Sequence, residues 1–168
     1  LPVISGAGDG QAAGLGAGIV APGVAYLNVG SGLISGSFSR DYKPSKAYRA
    51  MAGTLPGTVN YELFVGAGTL MISWFVNSFA DAQNLPAGVS REQYWEQRAK
   101  DVPRGADGLF VLPYWNGQLT PFWDHNAKGV MLGFTGVHTP AHIYRAILEG
   151  IAFELRVCLE EAEPLWPE

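Results

Sequence analysis

The chain has 168 residues, 48% of them hydrophobic and 15% charged, with a net charge of −4. That length and balance give one globular domain with a buried core, and they exclude a disordered segment. The acidic balance, with no basic run, excludes a nucleic-acid footprint. A single cysteine, Cys158, excludes an internal disulfide and a Cys-built zinc site, and it fits a reducing, cytoplasmic setting. No run reaches the ~18 apolar residues of a membrane span. No positively charged n-region precedes an apolar h-region, so neither a membrane partner nor a signal peptide is expected.

In chain order, PVISG (2–6) reads as a short strand. Residues 9–18, DGQAAGLGAG, read as a small-residue helix able to pack very close to a neighbour. The runs 24-VAYLNV-29 and 33-LISGSF-38 flank 30-GSG-32, a glycine loop that signals a hairpin. Further strands are expected over 47–52 and 58–64. GTLMISWFVNSF (68–79) is apolar on nearly all sides and reads as a buried helix. Ser90 and Gln93 form a capping-box pair ahead of a helix over about 91–100. GLFVLPYW (108–115) reads as a buried strand leading into the aromatic, turn-rich loop 116–129. Thr139 as cap, Pro140 at the first helical position and apolar residues at Ile143, Ile147, Ile151, Leu155 and Leu159 predict a long helix that Pro164 ends. Its apolar surface also suits a homodimer. Strands followed by helices, without strict βαβ alternation, predict an α/β domain on a mixed sheet. The chain starts without methionine and stops at PLWPE directly after the long helix, so a fragment of a longer protein is expected.

Three segments carry chemistry. In 5-SGAGDGQAAGLGAGI-19, the glycines invite a dinucleotide or phosphate-loop reading. Asp9 would repel a pyrophosphate, no acidic residue lies near position 30, and the G-x-x-x-x-G-K-[ST] pattern is absent. A nicotinamide-dependent oxidoreductase would rest on the glycine run alone. The alternative is that Asp9 itself matters. At a strand-to-helix junction, the helix N-terminus favours an ionised carboxylate, placed to accept a proton from a substrate hydroxyl. A plain helix N-cap is the competing reading. In 29-VGSGL-33, backbone N–H groups and the Ser31 hydroxyl can form a nest for phosphate oxygens, or the segment is an ordinary turn. His138 and His142 have i, i+4 spacing but lack the intervening Glu of a zinc motif, so capping or structural hydrogen bonding is favoured over a metal. Tyr114, Trp115, Phe122 and Trp123 either stack on a sugar or pack under their loop, and Cys158 reads as core.

Taken in order, GAGDGQAAGLGAG, LNVGSGLISG and GVMLGFTGVHTPAHIYRAILEGIAF resemble the C-terminal domain of the FGGY carbohydrate kinases over essentially the whole chain. The resemblance implies an actin-like ATPase, ribonuclease-H-like fold. It implies that residues 1–168 are the nucleotide-side domain, lacking the N-terminal sugar domain and the adenine-side end. It also implies ATP-dependent phosphorylation of a sugar hydroxyl, a pentulose such as xylulose being favoured, with Mg²⁺ arriving with ATP. Asp9 would be the general base. Asp9 and Gly10 would meet the substrate; Gly30, Ser31, Gly32 and Gly133 would meet ATP. Gly10 stands where glycerol kinases carry Gln, and 117-GQLTP-121 carries Leu119 where xylulose kinases carry Arg. One wall of a two-domain cleft is expected to be inactive alone. A non-catalytic nucleotide- or sugar-binding module of the same fold is the alternative.

Overall fold

The computed structural model describes residues 6–79 and 85–165, and the strand expected over 2–6 falls almost wholly outside them. The order is α1 (Asp9–Gly16), β1 (Ala25–Val29), β2 (Leu33–Ser39), β3 (Arg49–Ala52), β4 (Val59–Val65), α2 (Thr69–Ser78), α3 (Arg91–Ala99), β5 (Phe110–Leu112), β6 (Val130–Leu132) and α4 (Pro140–Ala162). Strands β1 to β4 form one sheet in the order β1-β2-β4-β3, and β5 and β6 form a two-stranded ribbon. All pairings between these strands are antiparallel; an isolated parallel bridge joins Trp115 and Gly117.

The two-residue period of a strand gives the four-stranded sheet two distinct faces. On β4, Tyr61, Leu63 and Val65 are buried in the main core with Met71 and Phe75 of α2 and Tyr144, Ile147 and Cys158 of α4. Residues Asn60, Glu62 and Phe64 alternate with them and so belong to the opposite face. On that face, registration sets Tyr26, Gly36, Glu62 and Arg49 directly opposite one another, one from each strand in sheet order. Helix α1 packs over this row.

Three sequence expectations need correction. Helix α2 is buried on one face only: Met71, Phe75 and Val76 are enclosed, while Leu70 and Phe79 are exposed. The sheet, α3 and α4 reach it from one side. Residues 108–115 do not form a buried strand. Residues 105–108 form a tight turn and β5 has three residues, with Val111 inward and Phe110 and Leu112 outward. A ribbon of β5 with β6, a strand the sequence did not announce, lies on α4 by one face and leaves the other open. Along α4, Ile147 and Ile151 are buried as expected, but Ile143, Leu155 and Leu159 are only partly covered. The enclosed line runs through Tyr144, Gly150, Glu154, Cys158 and Ala162 instead.

Other elements form as their local chemistry dictates. The Ser90 hydroxyl accepts the Gln93 N–H at 3.2 Å and the Gln93 carbonyl oxygen accepts the Ser90 N–H at 3.0 Å, completing the capping box of α3. Among the described residues no helix is long and apolar enough to cross a membrane.

Candidate active site

The hairpin 30–32 joins β1 to β2, and α2 begins beside it. The N–H of Thr69 donates to the Gly30 carbonyl at 2.9 Å, and that of Leu70 donates to the Ser31 carbonyl at 3.3 Å. Gly68 makes this approach possible, because a Cβ there would overlap the hairpin's carbonyl oxygens. A trans peptide points its C=O and N–H in opposite directions. With the carbonyls of Gly30 and Ser31 turned toward α2, the N–H groups of Ser31 and Gly32 face the other way. Ser31 is exposed, and among the described residues no hydrogen bond uses its hydroxyl. Outward N–H groups beside a free hydroxyl are a donor set suited to phosphate oxygens. The donor chemistry of this loop therefore fits a nucleotide's phosphates.

Asp9 is exposed and is the first residue of α1. Gly8 occupies the N-cap, without a side chain to cap, so Asp9 is not the helix cap. One Asp9 carboxylate oxygen accepts the Gly10 N–H at 3.0 Å. Gly10 is buried: a Cβ there would sit 3.1 Å from Glu62 Oε1 and 3.4 Å from the Tyr26 hydroxyl. What Gly10 presents outward is backbone.

Behind Asp9 lies a polar cluster that sequence reasoning missed. Glu62, 1% exposed, accepts from Gln11 Nε2 at 2.6 Å and from the Tyr26 hydroxyl at 3.1 Å through Oε1, and from Arg49 Nη2 at 2.6 Å through Oε2. Burial and the neighbouring Glu62 carboxylate push the Tyr26 phenol well above its ordinary range, so it stays a donor. Tyr26 lies between two glycines, Gly14 of α1 and Gly36 of β2, at each of which a Cβ would overlap the ring. The signal was available as the one charged residue, Glu62, within the strand VNYELFV. Gln11 also borders a cleft of about 480 Å³ lined by Gly6, Gly8, Leu15, Met51 and Thr54 among others.

Gly133 belongs to a different cluster. Its φ is +98° and a Cβ there would overlap the Gly108 carbonyl. In the turn below it Ala106 and Asp107 also adopt positive φ, which non-glycine residues rarely do. His142 Nε2 lies 3.1 Å from Asp107 Oδ2, and His138 Nε2 lies 3.3 Å from the Asp107 carbonyl oxygen. His138 Nδ1 accepts the backbone N–H of Thr135, and His142 Nδ1 accepts that of Thr139. Both therefore serve structural hydrogen bonds, as expected. Among the described residues no group of three or more His, Cys, Asp or Glu side chains is arranged to hold a metal ion.

The aromatic loop is tied down from within. Gln118 Nε2 and the Tyr114 hydroxyl donate to the two oxygens of buried Glu154, at 2.9 and 3.0 Å. Thr120 bridges to the backbone of Phe64. Trp115 packs beneath the loop against Trp74, whereas Phe122 is exposed.

These positions can be set against known proteins. The sequence model of the FGGY family of carbohydrate kinases, C-terminal domain, matches residues 25–165. The chain belongs to the FGGY family of carbohydrate kinases. This FGGY domain is 30% identical to the xylulose kinase of Bacillus subtilis over 162 residues, covering 94% of the chain and 31% of that protein. It is 36% identical to the glycerol kinase of Citrifermentans bemidjiense over 151 residues, covering 88% of the chain and 29% of that protein. The crystal structure of xylulose kinase from Rhodospirillum rubrum superposes with a TM-score of 0.83 at 30% identity, over 98% of this chain and 32% of that one. The expected actin-like fold is thereby shown. The chain spans about a third or less of the length of the curated relatives it matches.

Proposed function

We propose that the protein carrying this chain phosphorylates a sugar hydroxyl with ATP, a pentulose such as xylulose being favoured, and that Asp9 is its general base. The observation that carries this reading is the exposed Asp9 carboxylate at a helix N-terminus. That helix lies on the β1–β2 pair whose connecting hairpin offers phosphate donors. Asp9 would accept the proton of the attacking hydroxyl as it leaves. The N–H groups of Ser31 and Gly32 and the Ser31 hydroxyl would hold phosphate oxygens, with Gly30 opening the same turn. Gly133 is assigned beside the nucleotide on the family resemblance. Bound ATP with Mg²⁺ would supply the phosphoryl group and neutralise its charge. Gly10, in place of the Gln of glycerol kinases, supports a pentulose over glycerol; relatives of both kinds match the chain. The setting proposed is the cytoplasm, and the remaining wall of the cleft would come from an N-terminal domain, so the 168 residues alone should not turn over.

The test is ADP formation by the full-length protein with xylulose, ribulose and glycerol, with and without Asp9→Asn. A loss of about 10²- to 10⁴-fold in kcat with near-normal ATP binding is expected. An unchanged rate removes Asp9 as base. ATP binding by the unaltered protein with no product on any sugar would favour a non-catalytic binding module.

A further inference from the structure

Helix α1 carries the proposed base, yet little in it explains its own position. It has eight residues, its N-cap is a glycine without a capping side chain, and its buried residues are Gly10, Gln11 and Gly14. Short helices with interior glycines are not stable alone. Without an apolar face, α1 must be held by specific contacts. Among the described residues its side-chain hydrogen bonds to the rest of the chain come from Gln11, to Glu62 Oε1 at 2.6 Å and to the Met51 sulfur at 3.2 Å. The Glu62 contact is a charge-assisted bond in a buried setting, the stronger kind.

Glu62 is itself fixed from both sides of the sheet row. Arg49 on β3 pairs with one oxygen and Tyr26 on β1 with the other. Gly36, between Tyr26 and Glu62 in the row, leaves the space through which the Tyr26 hydroxyl reaches the carboxylate. Gly14 of α1 rests on the same tyrosine ring, and Gly10 lies over the carboxylate. The approaches of Gly10 and Gly14 and the amide bond of Gln11 therefore converge on Glu62 and Tyr26. Gln11 is two residues from Asp9, so whatever holds Gln11 sets where Asp9 stands.

We propose that Gln11 and Glu62 are positioning residues: a buried carboxylate, clamped by Arg49 and Tyr26 and taking the Gln11 amide, fixes the first turn of α1 and with it the Asp9 carboxylate. The inference rests on the reading of Asp9 as base, but the tether itself is measurable without turnover. Gln11 suits the role because a neutral amide donates to a carboxylate, whereas an isosteric Glu would set two like charges against each other.

The experiment uses the full-length protein with Gln11→Glu, and with Gln11→Glu combined with Glu62→Gln, which restores an amide–carboxylate pair with donor and acceptor exchanged. Hydrogen–deuterium exchange is followed over residues 9–17 and over β2 and β4. In the single variant, exchange in α1 should rise at least ~10-fold while the strands stay protected, and kcat should fall ~100-fold, as a misplacement near 1 Å produces. The KM for ATP should stay within ~3-fold. The double variant should regain most of both losses, which simple destabilisation would not do. If Gln11→Glu does not fold, Gln11→Met, of similar size with no donor, is read by the same criteria. Unchanged α1 exchange, or a double variant worse than the single, overturns the proposal. If Asp9→Asn leaves kcat intact, the kinase reading of Asp9 fails, while the exchange data still decide the tether.

Discussion

Gly150 lies in the interior of α4, where helix propensity by itself predicts that alanine stabilises by about 1 kcal/mol. The packing predicts the reverse. A Cβ at Gly150 would overlap the carbonyl oxygen of Val111 and stand 3.2 Å from that residue's carbonyl carbon and Cβ. Those atoms belong largely to the backbone of β5, which is held in a ladder with β6 and has no rotamer to change. Overpacking of a tight contact costs about 1–3 kcal/mol, and a backbone neighbour puts this one near ~3. Subtracting the propensity gain leaves Gly150→Ala destabilising by about 2 kcal/mol. For a domain of this size that lowers Tm by about 4–8 °C. Gly16 is the matched control: it ends α1, and a Cβ there meets nothing within 4 Å. Gly16→Ala should be neutral or stabilising by up to about 0.5 kcal/mol. Thermal and urea unfolding followed by circular dichroism distinguish the two. A Gly150→Ala protein as stable as its parent would refute the close approach of α4 to β5.

Three further predictions follow from single contacts. Thr120 is fully buried, accepts the Phe64 N–H at 2.8 Å and donates to the Phe64 carbonyl at 3.1 Å. Thr120→Val should cost about 2 kcal/mol by orphaning both groups, and a urea midpoint unchanged by the substitution would count against the bridge. Burial pushes the Cys158 thiol up to about 11, from an ordinary value near 9. The unfolded chain thus gives up this proton at lower pH than the folded one. Stability from this group is complete below pH 9 and declines as pH rises toward 11, so Cys158→Ala should flatten the fall between pH 9 and 10. The native thiol should also resist thiol reagents at pH 8, and stoichiometric labelling within minutes would show it to be exposed. Ser31→Ala in the full-length protein should weaken ATP binding by about 0.5–1.5 kcal/mol, or ~2- to 12-fold, by calorimetry. Equal affinity would remove the hydroxyl from the nucleotide site.

How legible the protein was from its residues differs by element. Local chemistry was enough for the capping box at Ser90, the 30–32 hairpin, the strands around 49–52 and 59–65, and the start of α4 at Thr139–Pro140, because turn glycines, caps and proline act over a few residues. The burial of α2 and β5 was overestimated, because composition says that a segment is apolar and not how many neighbours reach it. The face of α4 was misjudged for a related reason. Gly150 and Glu154 are buried by β5 and by Gln118 and Tyr114, partners outside the helix.

The same division runs through the candidate site. Asp9 and the Gly30–Ser31–Gly32 turn announced themselves in short segments, because carboxylates beside helix starts and glycine hairpins have local signatures. Gln11, Tyr26, Arg49 and Glu62 come from four separate elements and have no shared signature. Only strand register sets the last three in one row with Gly36, and only the docking of α1 brings the amide of Gln11 onto Glu62. Sequence by itself determined which groups could do chemistry and where the chain turns. Tertiary structure alone decided what holds them, because a buried carboxylate is tolerated only where distant partners neutralise and bond it.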